Sequence, residues 1–239
     1  MILIEEAIQT VQSVYSKGLQ SKDSRLSNRH IYSAMLSARA TLIRQRVNDR
    51  QALSSWIYQT LPCVELEKAN VTDCGIVPVN NCTILRSKEK LPAFVNSIKN
   101  KDLIRTATTI DNSIRFDVVD YTTFRYRKGN KFTSNKPFVY IRNSYLYLVG
   151  FTFLKSIPID GIFQDPIEVF NFKQKNCPDS DCNCLSAYEI EFPFDRELMS
   201  NLSLLTMKET VMIFSQMKED KLNNASDDSG NIKLVNQPQ

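Results

Sequence analysis

Apolar positions recur at two spacings along this chain, and the change between them divides it. Over residues 2–17, Ile4, Ile8, Val11 and Tyr15 fall at helical spacing and predict an amphipathic helix. Glu5 and Glu6 suit its positive N-terminal end, and Lys17-Gly18 suits its stop. After a polar connector at Ser21–Ser24, a second helix is predicted from about Ser27 to about Thr60. Its stripe is Ile31, Ala34, Met35, Ala38 and Leu42, continued by Leu53, Trp56 and Ile57, with Pro62 marking its end. A helix of roughly 30 residues is long for a globular protein, which predicts a partner over part of it and a helix pair too exposed to stand alone.

From Cys63 the period becomes two. Short strands are predicted at 64–68, 83–86 and 103–108, and the densest β signal lies between Ile114 and Phe163. Phe138–Arg142 and Tyr145–Val149 flank Asn143-Ser144, a hairpin turn, and Lys128-Gly129-Asn130 reads as another turn. Pro158, Gly161 and Pro166 punctuate the exit, and a cysteine-bearing loop spans 173–186. Tyr188–Phe192 is a last strand. Asp195 caps a short helix through Leu205, and Thr206-Met-Lys-Glu209 is a capping box opening another through Lys218.

The order predicts an α+β fold: a helical hairpin at 1–61, a mostly antiparallel β-rich domain at 62–192, C-terminal helices at 193–219 and an extended polar tail at 220–239. Within the tail, Leu222, Ile232, Leu234 and Val235 are the apolar anchors. Ordering it costs roughly 1–2 kcal/mol per residue of backbone entropy. The expectation is therefore an arm over an adjacent subunit, with Asn231–Val235 adding a strand to a sheet edge.

Composition narrows the chemistry. The net charge of +4 is spread over 30 basic and 26 acidic residues, without the dense basic stripe of a dedicated nucleic-acid binder. The six glycines are scattered, so no phosphate-cradling loop exists, and a single His30 leaves no His-His zinc motif. His30 reads as a helix-surface residue; no enzyme and no cofactor are expected. No apolar run is long enough to span a membrane, and the acidic start argues against a signal peptide. The cysteines are accordingly expected as thiols. Cys177, Cys182 and Cys184 could supply three zinc ligands with Cys63, Cys74 or Cys82 as a fourth, but their spacing lacks the paired C-x2-C of zinc sites, and free thiols are the alternative.

Arg39, Arg46 and Arg50 are spaced by seven and four residues and so share a helical face. That face could meet DNA phosphates or, as arginine's planar fork favours, carboxylates of a neighbouring chain. Aromatic residues between Phe116 and Tyr147 alternate with Arg115, Arg125, Arg127 and Arg142. Such a surface could stack bases as a small nucleic-acid-binding module does, or could simply be a packed sheet.

The segment Ser27–Arg46, with its run SNRHIYSAMLSARATLIRQR, followed by RQALSSW at Arg50–Trp56, resembles the head-to-tail connector ring (adaptor) proteins of crAss-like podophages. The resemblance implies a structural virion protein, assembled in the host bacterial cytoplasm into a ring of about twelve copies. It further implies a place in the portal–tail connector, contact with the portal and other tail ring proteins, and DNA passing through the channel without sequence-specific contact. Among the connector rings, the one attached to the portal is the first choice.

Overall fold

The computed structural model describes residues 2–15, 27–69, 84–97, 101–123, 126–127, 131–133, 136–176 and 186–215, with side chains of Tyr15 and of 210–215 left aside. Its helices are α1 (Ile4–Tyr15), α2 (Asn28–Asn48), α3 (Pro166–Asn176) and α4 (Met199–Ser215). Strands β1 (Ile2–Leu3) and β9 (Glu191–Phe192) form a small antiparallel ribbon. The seven remaining strands are β2 (Gln59–Lys68), β3 (Ile84–Ser87), β4 (Ile104–Ala107), β5 (Asp117–Val118), β6 (Phe138–Arg142), β7 (Tyr145–Val149) and β8 (Ser156–Gly161), in the order β4-β8-β2-β3-β7-β6-β5. The α+β class is as expected, and every pairing is antiparallel except β5–β6.

The two ends of this sheet meet. Thr108 pairs with Arg115, and the Phe116 N–H bonds to the Ala107 carbonyl at 2.8 Å, so the segment leading into β5 lies beside β4. The sheet thus curls into a barrel-like wrap. Strand alternation sends Val139, Leu146, Leu148, Ile157 and Ile159 to its inner core, joined by Phe163 and by Val169 of α3. The outer face of β3, β6 and β7 carries Ile84, Phe138, Tyr140, Tyr147 and Val149. At Asn143 and Ser144 the φ angles are 52° and 65°, the paired left-handed geometry of the predicted two-residue hairpin.

A helical layer forms the second core. Ile4, Ala7, Ile8 and Val11 of α1, with Ile31, Met35 and Ala38 of α2, pack on Leu198 of the 3-10 turn before α4, on Leu202 of α4, and on Phe192 and Phe194. Leu42 is only half-buried; Ile43 takes the deeper position. The helix pair is therefore not exposed within one chain. α4 supplies much of the cover expected from a partner.

The second helix is shorter than its apolar pattern predicts. It starts as expected, with Ser27 Oγ accepting the His30 N–H at 3.3 Å. It ends at Asn48 because Arg50 adopts φ 56°, returning its N–H to Val47 and that of Gln51 to Arg46. That is the helix stop usually made by glycine, here made by arginine. Leu53 to Ile57 then form a loop and a 3-10 turn, and Pro62 lies inside β2. Proline is accommodated there because the β2–β8 register shifts between Leu61 and Val64.

Two C-terminal expectations also change. α3 occupies part of the predicted 173–186 loop, with Asp165 capping it (Ile167 N–H to Oδ1, 2.8 Å) and Pro166 at its first position. α4 is one continuous helix rather than two. Thr206 is buried in its interior with Oγ1 donating to the Leu202 carbonyl at 2.8 Å, so no helix starts there and the capping box is not used.

Candidate functional site

The fold separates the three arginines that the sequence places on one face. Arg39 is wholly buried. Its Nε donates to the Pro193 carbonyl at 3.1 Å, its Nη1 to the Phe163 carbonyl at 2.7 Å, and its guanidinium lies 5.9 Å from the Phe192 ring centroid. Burial lowers its pKa to about 10, against the pull of Tyr32 and Asp165, so it is charged at neutral pH. Arg39 therefore fastens α2 to the β8–α3 and β9–α4 junctions and presents nothing to a neighbouring chain, contrary to the interface role expected of it. Arg46 is half-buried, 3.9 Å from the Asp195 carboxylate, while Arg50 is exposed beyond the helix end.

Tyr32 completes this polar joint. Its hydroxyl donates to Asp165 Oδ1 at 2.7 Å, and burial together with Asp165 pushes its pKa well above the ordinary phenol value. The carboxylate that caps α3 thus also anchors α2. Nothing in the helical periodicity marks this role.

The aromatic strands do not form an open stacking platform. Tyr140 and Tyr147 stack on each other at 5.0 Å and 4°, Phe138 and Tyr121 adjoin Tyr140, and Phe138, Tyr140 and Tyr147 are all buried. The arginines cover these rings: Arg86 lies over Tyr145 at 4.9 Å, Arg142 over Tyr121 at 4.6 Å and Arg127 over Phe138 at 5.6 Å. Arg86 and Arg127 are further paired with Glu67 and Asp117, each at 2.5 Å. Along the strands the alternation reflects packing of a sheet face, whereas Tyr126 and Phe132, outside the strands, are exposed.

Several sequence-predicted residues lie outside the described residues: Ile232, Leu234 and Val235 of the tail, and Cys74, Cys82, Cys177, Cys182 and Cys184. Cys63 is a half-buried free thiol on β2. Among the described residues no group of three His, Cys, Asp or Glu side chains could hold a metal ion, and no helix is long and apolar enough to cross a membrane. His30 is exposed on the first turn of α2. Asp102 lines two clefts, one with Val118–Tyr121 and one with the β6–β7 turn, and burial together with the Asp120 charge pushes its carboxyl above its ordinary range.

Two surfaces of opposite charge remain. On one, Trp56 is 59% exposed on the 3-10 turn closed by the Tyr58 N–H, and the Arg105 guanidinium lies 4.8 Å over the Tyr58 ring. Arg44 and Lys101 are exposed as well, and Arg44 Nε donates to the Asn96 carbonyl at 2.9 Å. On the other, the β1–β9 ribbon and the first turn of α1 bring Glu5, Glu6, Glu189 and Glu191 together around Leu3. The Ile4 and Glu5 N–H groups bond to the Ile190 and Tyr188 carbonyls at 2.9 and 3.0 Å, extending the ribbon into α1. Sequence reading missed the first surface because Trp56 falls in phase with the α2 stripe; the Arg50 stop takes it out of the helix.

No curated protein matches the chain. A family model described as phage tail ring protein 2 matches residues 6–229. The chain belongs to this family of crAss-like phage tail ring proteins, structural components of the bacteriophage virion.

Proposed function

We propose that the chain builds one ring of the portal–tail connector, in about twelve copies, extending the DNA channel and docking the next tail component. The observation that carries this reading is the match to the tail ring family over residues 6–229. The chain works as structure, not as an enzyme, and assembles in the host cytoplasm onto the portal and its neighbouring rings. Packaged DNA passes through without sequence-specific contact. Exposed Arg50 and half-buried Arg46 contribute to contacts between chains, and the tail with Ile232, Leu234 and Val235 runs as an arm over an adjacent subunit.

Deleting residues 220–239 tests the arm: the folded chain should keep its circular dichroism while assembled particles become unstable. Stable, infectious particles from the deletion would refute it. A salt-titrated gel shift tests the ring reading against a nucleic-acid-binding module. Tight, salt-sensitive capture of oligonucleotides by the isolated chain would favour the module and overturn the ring.

A further inference from the structure

We infer that copies of this chain join head to tail, the basic aromatic patch centred on Trp56 of one copy seated against the acidic β1–β9 ribbon of the next. The inference rests on the ring reading and names the two surfaces that make it. A closed ring of identical chains needs a heterologous contact, two different patches on each chain that complement one another. The chain offers such a pair.

The patch has the composition of an interface anchor. Tryptophan, tyrosine and arginine carry a large share of binding energy at protein contacts because they bury wide, rigid surface. Trp56 leaves more than half of its surface exposed, and Arg105 is pre-positioned on Tyr58, so little side-chain freedom is lost on docking. Two acids lie near it: Asp160 is engaged within the sheet, accepting from the Thr60 and Thr106 hydroxyls at 2.6 and 2.7 Å, and half-buried Asp102 lines a cleft with Asp120.

The ribbon complements it in charge and shape. Glu5, Glu6, Glu189 and Glu191 are all exposed there; the stretches 2–15 and 186–195 contain no lysine or arginine, and Arg46, which reaches the second, pairs with Asp195. Leu3, 37% exposed, gives an apolar centre that Trp56 can cover. A ribbon of two strands is marginal in water by itself and gains from being covered. A nucleic acid would satisfy the basic patch but would leave the acidic ribbon unexplained; a second copy satisfies both.

The test mixes two variants of the full chain, each lacking one surface. Trp56→Ala with Arg105→Ser removes the patch, and Glu189→Lys with Glu191→Lys removes the ribbon. Each should keep the wild-type melting curve yet sediment as a monomer at concentrations where the wild type forms rings. Their equimolar mixture should give a discrete two-chain complex, because one intact patch meets one intact ribbon and growth then stops. The milder Arg105→Ala and Glu191→Gln, should the double variants unfold, are each expected to weaken assembly at least tenfold. Wild-type rings from either double variant, or two folded variants that form no complex, would overturn the inference and leave the ring reading standing. A wild-type chain that remains monomeric in virions would overturn both.

Discussion

In the barrel, β6 and β7 send Val139, Leu146 and Leu148 inward and Phe138, Tyr140 and Tyr147 outward, so each strand feeds two packed layers. In the helical layer, α2 buries Ile31, Met35 and Ala38 and, beside them, the charged Arg39. The barrel is held by apolar surface removed from water, which is non-directional and tolerant of small shifts. The helical layer adds a directional joint, in which one guanidinium must find carbonyls from two separate stretches of chain. Such a joint specifies how the helices sit on the barrel, and it therefore fixes the relative placement of Trp56 and the β1–β9 ribbon.

Breaking the joint should have the largest effect. Arg39→Met fills much of the space but leaves the Phe163 and Pro193 carbonyls without a donor, a loss of about 3–5 kcal/mol by urea unfolding. A change below about 1 kcal/mol would mean that the carbonyls find other partners. On the barrel side, Leu148→Ala should cost about 2–4 kcal/mol through transfer and cavity terms, with no effect on the affinity between chains. Loss of assembly at unchanged monomer stability would show that the barrel core is not independent of the interface.

The end of α2 offers a change of opposite sign. Arg50 holds a left-handed conformation that glycine adopts freely, so Arg50→Gly should raise stability by up to about 1 kcal/mol in thermal melts. A destabilised variant would indicate that the Arg50 side chain contributes contacts of its own.

The smallest effect concerns acid. Lys175, hydrogen-bonded to Glu89 at 2.6 Å, and Asn176 hold the Glu89 carboxyl below its ordinary value of 4.5. The folded state therefore gains stability above that value and loses it as pH falls through the depressed pKa. Glu89→Gln should remove this acid-side slope at a cost within about 0.5 kcal/mol at neutral pH, the range of exposed ion pairs. An unchanged slope would place the acid sensitivity elsewhere.

Much of this architecture was legible in the chain because periodicity reports burial directly. The β6–β7 hairpin, its Asn143-Ser144 turn, the start of α2 at Ser27 and the apolar faces of α1 and α2 all follow from spacing and capping chemistry. The failures share a cause: local signals whose meaning depends on distant partners. Arginine at position 50 gives no hint of a helix stop, so the stripe ran on through Trp56. Asp165-Pro166 is a sound cap-and-first-turn pair, yet beside Pro158 and Gly161 it reads as a turn. The Arg39 stripe failed because a buried arginine and a solvated one have the same spacing; only the Phe163 and Pro193 carbonyls, far along the chain, decide between them.

The central claim, that this chain forms a closed ring through two unlike surfaces, is tested most directly by cryo-electron microscopy of the intact virion tail. The account predicts a closed ring of this chain around the channel, with Trp56 of each copy against Leu3 and Glu191 of the next. A tail in which the chain stands as isolated monomers, or in which Trp56 and the β1–β9 ribbon both face solvent, would contradict it.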